Sequence, residues 1–226
     1  MYEAKKAWEE VYRSSRMSYP AEGVIRIFLG QFPELKLDRN FHGKRILDLG
    51  YGDGRHFPLF DRLGMLSSGV EISEKIVAST REIDALSHIS LDLRAGSAAN
   101  IPFEDETFDY LLAWNSCYYM GGGASDFERH VEEMARVVRR DGYLVISVPT
   151  SNNFIFSSAT VSRPGYRTIA DDYFGMRNGE EMRCFETKDE LEAAFFSTFG
   201  DFCHAEIDMK WFGLAYNWFV MVARKL

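Results

Sequence analysis

Three glycines at alternate positions, Gly50, Gly52 and Gly54, follow an apolar run in "ILDLGYGDGRH", with the carboxylates Asp48 and Asp53 close beside them. A strand-to-helix loop of this kind lets the backbone approach a ligand closely, because no Cβ intervenes. The third glycine of a dinucleotide fingerprint, three residues after the second, is replaced here by Arg55, so the close helix-on-strand packing of that motif is missing. No Gly-Lys-Ser/Thr follows, which removes the Walker loop. Two nearby carboxylates also repel a pyrophosphate, whereas a ligand with a cationic end tolerates them. Glu71 lies 21 residues beyond Gly50, a spacing that suits a carboxylate accepting hydrogen bonds from both ribose hydroxyls. After the next strand, "AGSAANIPF" sets Ser97 and Ala98 where they can meet an adenine edge.

These residues need a scaffold that brings strand ends together, and the surrounding pattern predicts one. "KRILDLG", "SSGVEIS", "HISLDLRAG", "FDYLLAWN" and "YLVISVP" read as strands, separated by the helical stretches "RHFPLFDRLG", "SEKIVASTREIDAL" and "SDFERHVEEMARVVRRDG". That alternation is the rhythm of an α/β fold with a parallel sheet. Ser73 is placed as an N-cap, and Thr187 and Glu190 stand at capping-box spacing before "LEAAFFSTFG". "DFCHAEIDMKWF" and "NWFVMVARK" are expected to form an antiparallel pair, and Asn178-Gly179 a hairpin turn. The chain is expected to be one domain: an N-terminal helical cover over 1–42, a core over 44–149, an insertion over 150–186, and a helix with a β-hairpin over 187–226.

"ILDLGYGDG", "GVEIS", "IPFEDETFDYLLAWNSCYYM" and "MARVVRRDGYLVISVP", in that order, resemble the class I S-adenosylmethionine (SAM) dependent methyltransferases over about residues 44 to 149. The resemblance implies a Rossmann-like, doubly wound, seven-stranded and mostly parallel sheet with a C-terminal antiparallel hairpin, and SAM as cofactor. By residue, it implies that Gly50, Gly52 and Gly54, with Asp48 and Tyr51 of the same loop, flank the methionyl part. Glu71 would bind the ribose, and Ile72, Ser97, Ala98 and Trp114 would surround the adenine or close the crevice. Many members of the family carry Asp where this chain has Ser97, to accept from the adenine amino group.

A sulfonium methyl is already activated, so the main task is to align an acceptor with it. A hydroxyl acceptor also needs a base. The catalytic candidates are Asn115 and Tyr119 after the fourth strand, and His56 directly after the glycine loop; Tyr118 or its neighbour is expected in the core, and His130 is read as structural. "VYRSSRMSYP" places Arg13, Arg16 and Tyr19 where they could fold over the crevice toward the methionyl carboxylate. Arg163, Arg167, Asp171, Asp172, Tyr173 and Arg177 make the insertion rich in hydrogen-bonding groups.

The expected activity is methyl transfer to a small-molecule or saccharide hydroxyl. The N-terminal stretch and the insertion resemble methyltransferases associated with bacterial surface polysaccharides, and quinone, secondary-metabolite or carboxylate acceptors are the near alternatives. A formal charge of −8 and "NSCY" in place of a proline-aromatic site argue against nucleic acid. A SAM-binding module without transfer is the alternative from another class; a nicotinamide enzyme is disfavoured by Arg55. Three cysteines without CxxC spacing indicate no disulfide framework or thiolate zinc site. The N-terminus lacks the apolar core of a signal peptide and no apolar run reaches membrane-spanning length, so the reading is a cytoplasmic protein, monomer or homodimer.

Overall fold

The computed structural model describes residues 2–14, 16–121 and 126–226, and the side chains of 6–12, 16–121 and 126–226. Within these residues the chain forms six α-helices and ten strands. In chain order they are α1 (Tyr2–Ser14), α2 (Glu22–Leu29), β1 (Arg45–Leu49), α3 (Phe57–Arg62), β2 (Leu66–Glu71), α4 (Glu74–Arg81), β3 (Asp92–Ala95), β4 (Phe108–Trp114), α5 (Phe127–Val137), β5 (Val138–Pro149), β6 (Ala159–Arg163), β7 (Tyr166–Ile169), β8 (Glu181–Arg183), α6 (Lys188–Phe195), β9 (Phe199–Trp211) and β10 (Leu214–Lys225).

The main sheet runs β3-β2-β1-β4-β5-β10-β9. β1 pairs in parallel with β2 and β4, and β4 with β5, while β10 is antiparallel to both β5 and β9. This is the doubly wound, seven-stranded sheet with a terminal antiparallel pair that the sequence predicts. β4 is buried along its whole length, as a nearly continuous apolar strand covered on both faces must be. Its period of two divides it: Leu111 and Ala113 enter the core cluster shared with α5 and α6, whereas Tyr110, Leu112 and Trp114 enter the one shared with α2, α3 and α4.

Several boundaries differ from the expectation. The helix expected to run through "REIDAL" stops at Arg81, and a single 3-10 turn, Asp84–Leu86, follows. Ser73 does cap α4, accepting from the Lys75 amide, and Thr187 caps α6 by accepting from Glu190. Asn178-Gly179 is not a two-residue hairpin turn. It closes a longer β7–β8 connection, in which the Gly179 amide donates to the Ile169 carbonyl at 2.8 Å and Asn178 Oδ1 accepts from the Asp172 amide. The insertion builds its own three-stranded sheet, β6-β7-β8. Ser125, expected to open the fifth helix, lies outside the described residues, as does the side chain of Arg13.

The loop after β3 has no helix to hold it, and a charged cluster on α5 does so instead. Glu133, buried, accepts from the Ile101 amide at 2.9 Å and pairs with Arg136 and Arg129. Arg136 in turn donates to the Ile101 and Phe103 carbonyls, each at 2.8 Å. The Arg136 guanidinium keeps the Glu133 carboxyl below the ordinary carboxylate range, so its stabilisation is present at neutral pH and lost as the pH falls through that lowered value. Glu133→Ala is expected to cost about 2 kcal/mol, because one partner is half exposed and a buried amide is orphaned. Urea unfolding should show that deficit at neutral pH and a smaller one in acid.

Candidate cofactor and acceptor site

A cavity of about 250 Å³ opens at the carboxyl ends of β1, β2 and β4, where the sheet order reverses direction and open α/β sheets bind ligands. Gly50 forms its floor with φ +75°, and a Cβ there would come within 2.5 Å of Ser116 Cβ. Gly52, at φ +61°, lies under Tyr12: a Cβ would approach the phenol oxygen to 2.9 Å. Both positions therefore need glycine for backbone conformation and for close approach. Gly54, at φ +72°, shares the conformational need, and a Cβ there would meet Leu86, Phe57 and Thr80 in the core rather than the cavity.

Glu71 ends β2 with its carboxylate buried in the cavity wall. Oε1 accepts from the Gly52 amide at 2.8 Å and Oε2 from the Ile72 amide at 2.9 Å. Burial pushes its pKa up to about 7 against the pull of those two amides, with Asp48 and Asp53 adding repulsion. Ile72, Ser97 and Ala98 continue the wall beyond it.

At the β4 end, Asn115 turns the chain with φ +55°, a conformation that asparagine tolerates better than most side chains. Ser147 of β5 locks it: the serine Oγ accepts from the Asn115 amide at 2.8 Å and donates to Asn115 Oδ1 at 2.7 Å. With Oδ1 engaged, the side chain has its Nδ2 donor left to offer. Ser116 Oγ donates to the Leu49 carbonyl at 2.6 Å, tying this turn to β1. Beyond it stand Tyr119 and Glu180, with Trp8 and Tyr12 of α1. Trp8 stacks on Tyr12 at 5.6 Å and meets Tyr119 edge-on at 6.4 Å.

Besides Gly52 and Gly54, five expected site residues lie outside the cavity lining. His56 is sealed beneath the loop, its Nδ1 2.9 Å from Asp48 Oδ2, so neither it nor Asp48 reaches the cavity. As the N-cap residue of α3, His56 points its imidazole back toward β1 and Asp48, which gives it a structural hydrogen bond away from the cavity. Tyr51 packs on Phe57 in the core behind the loop. Trp114 follows the alternation of β4 onto the opposite face, where a Cβ on Gly23 would strike its ring at 2.4 Å. Tyr19 is 83% exposed. Tyr118 is the core member of the tyrosine pair, stacked on Tyr119 at 4.8 Å.

The residues that sequence reasoning missed are Trp8 and Tyr12, whose spacing of four marks one face of a helix, together with Glu180 and His130. His130 was read as structural, yet it lines the cavity while its Nδ1 sits 3.0 Å from the Cys117 carbonyl.

Residues 47–146 match the family model of a methyltransferase domain. The chain is 33% identical over 111 residues to a phosphatidylethanolamine N-methyltransferase of Cereibacter sphaeroides, covering 47% of this chain and 51% of that one. It is 28% identical over 132 residues to a ubiquinone biosynthesis O-methyltransferase of Mesorhizobium japonicum, covering 58% and 50%. Thus it spans about half the length of the curated relatives it matches. The 1,6-didemethyltoxoflavin-N1-methyltransferase of Burkholderia thailandensis, solved with 1,6-didemethyltoxoflavin and S-adenosylhomocysteine bound, shares the fold with a TM-score of 0.64 at 16% identity, covering 98% of this chain and 86% of that one.

Residues 47–146 thus match a methyltransferase domain, and they lie within the seven-stranded, doubly wound sheet whose fold the solved methyltransferase shares. The residues lining the cavity suit SAM as the cofactor. The buried Glu71 carboxylate matches a vicinal diol, Ile72 and Ala98 offer apolar surface to a purine, and Gly50 with Asn115 leaves room and a donor for an amino-acid end.

Glu71 supplies a signature of binding. In the free protein its raised pKa means that stability is full below the ordinary carboxylate range and is lost as the pH rises through about 7. Ribose hydroxyls donating to the carboxylate favour its charged form. Calorimetry of S-adenosylhomocysteine binding slightly below neutral pH, in buffers of different ionisation enthalpy, should show proton release. Glu71→Gln should abolish that release and flatten the decline of the free protein's Tm between about pH 5 and about pH 8.

Proposed function

We propose that this protein transfers the methyl group of SAM to a hydroxyl oxygen of a small, ring-bearing acceptor, a saccharide or an aromatic compound. The observation that carries this reading is the continuity of one cavity from Glu71 and Gly50, past Asn115, to a wall of Trp8, Tyr12 and Tyr119 beside Glu180. Flat aromatic faces suit the apolar face of a ring. SAM, when bound, supplies the electrophilic methyl; what the chain must add is alignment and a place for one proton.

Tyr119 is fitted to orient the acceptor. Its oxygen accepts from Arg177 Nε at 3.1 Å, which leaves the phenol hydrogen free to donate. Burial raises its pKa despite the neighbouring guanidinium, so it stays un-ionised at neutral pH. Arg177 is held in turn by Asp172, at 3.0 and 3.1 Å. Glu180 is the carboxylate at this end of the cavity and is assigned to receive the hydroxyl proton. The relatives' names include both an O- and an N-methyltransferase, so the choice of oxygen rests on this donor-and-acceptor pair.

Label transfer from methyl-labelled SAM to panels of glycosides, phenols and quinols, and amines tests the reading. Label is expected in a hydroxyl-bearing class; transfer to amines alone would overturn the oxygen assignment. Stabilisation by S-adenosylhomocysteine without transfer to any panel would favour a binding module. With the acceptor in hand, Tyr119→Phe should lower kcat/KM about tenfold while leaving S-adenosylhomocysteine affinity within about twofold.

A further inference from the structure

His130 is 4% exposed and stands on the first turns of α5. Its neighbours fix where in the cavity it acts. Arg129 Nε donates to the Ala99 carbonyl at 3.2 Å, and Glu133 holds the Ile101 amide, so these turns lie against the loop after β3. That loop carries Ser97 and Ala98, which line the cavity together with His130.

The protonation of the ring follows from its partner. A backbone carbonyl can only accept, so the Nδ1 that contacts Cys117 carries a hydrogen. Burial lowers the pKa of this imidazole, so it is neutral at pH 7. Nε2 is then a lone-pair acceptor. Among the described residues the one hydrogen-bond partner of the ring is the Cys117 carbonyl on Nδ1, and His130 lines the cavity.

An exocyclic amino group of adenine is donor-only and needs an acceptor when enclosed. Ser97 brings a hydroxyl to this end of the cavity, and Ala98 and Ala99 bring no side-chain acceptor. We propose that Nε2 of His130 accepts a hydrogen bond from the adenine amino group of the bound cofactor, in the role that a carboxylate at the Ser97 position would fill. The assignment rests on SAM being the cofactor. The alternative, a base for the methyl acceptor, predicts an unchanged adenosyl-over-inosyl preference in His130→Asn.

The test compares S-adenosylhomocysteine with S-inosylhomocysteine, in which a carbonyl oxygen replaces the amino group, by isothermal titration calorimetry. His130→Asn keeps a donor near the Nδ1 position for the Cys117 carbonyl and removes the Nε2 acceptor, so folding is retained; its Tm is measured alongside. The wild-type protein is expected to prefer the adenosyl ligand by about tenfold or more. His130→Asn should lower adenosyl affinity about tenfold, leave inosyl affinity unchanged or improved, and so collapse the preference. His130→Gln, which can bring an oxygen near the Nε2 position, should restore part of it. An unchanged preference in His130→Asn, or an equal loss for both ligands, would overturn the proposal. Binding of neither ligand by the wild-type protein would instead overturn the cofactor assignment, and the proposal with it.

Discussion

The site depends on one buried carboxylate. Glu71 ends β2 inside the wall of the cavity, and its two oxygens are held by the amides of Gly52 and Ile72. A carboxylate without partners at that depth would cost several kcal/mol, so the glycine loop must present its amide there. Only a loop free of side chains at Gly50 and Gly52 can do so while passing under Tyr12 and over Ser116. The parallel pairing of β1 with β2, which sets Asp48 against Gly69 and Leu49 against Val70, delivers the two strand ends at matching height. The same interaction readies the cavity for a diol: hydroxyl donors can add to the remaining lone pairs of the two oxygens as the carboxyl, poised near neutrality, ionises.

Opposite this carboxylate, the turn after β4 is rigid for a different reason. Asn115 occupies a left-handed conformation and is clamped from β5 by Ser147, while Ser116 is clamped from β1 by the Leu49 carbonyl. Each bond joins neighbouring strands at the point where the sheet order diverges from β1. The cavity thus has two fixed walls, and α1 closes over them through Trp8 and Tyr12. That helix is itself anchored: Glu9 pairs with Ser73 and with Lys75, at 3.3 Å for the latter, and the Met17 amide donates to Asp53 at 2.8 Å. Asp53 therefore has a structural partner rather than a ligand.

The central strands were legible because a strand buried on both faces has to be a continuous apolar run, and Glu71 was legible because strand, helix and strand occupy a nearly constant length of chain. Side-chain direction was less so. Trp114 is one residue from Asn115 and was assigned to the same crevice, yet the pleat turns it to the other face, beside Gly23. His56 follows the glycine loop in sequence, but the loop turns the chain enough that the ring points under it to Asp48. Nothing in the local pattern around "RHFPLF" specifies that rotation. His130 shows the converse. Its spacing sets it weakly on the helical face opposite Phe127 and reads as structural, yet the ring is buried next to Phe127 and lines the cavity; burial against the core and burial against a cavity have the same periodicity. Tyr19 stands out in the sequence by its mix of basic and aromatic neighbours, yet it is exposed, and the packing of α1 brings Tyr12 to the cavity.

The two ends of the cavity are built by different parts of the chain, and this bears on how acceptor choice is encoded. The end near Glu71 is made from the ends of β1 and β2, the loop after β3 and α5, with Tyr12 of α1 lying over Gly52. The other end depends on the insertion. Arg183 N donates to the Tyr118 carbonyl at 2.8 Å and Met120 N to the Glu181 carbonyl at 2.9 Å, so β8 runs as a partner strand beside the tyrosine pair. Arg177 and Asp172, also from the insertion, set the hydroxyl of Tyr119, and Arg177 lies 5.5 Å from the Trp8 ring. Changes in the 150–186 segment would therefore move Tyr119, Glu180 and the face of Trp8 together, with no disturbance of Glu71 or the glycine loop. A fold arranged in this way can vary what receives the methyl group while keeping what donates it. The family match over residues 47–146 accordingly bears on the cofactor side of the cavity and leaves the acceptor to be read from the insertion and α1.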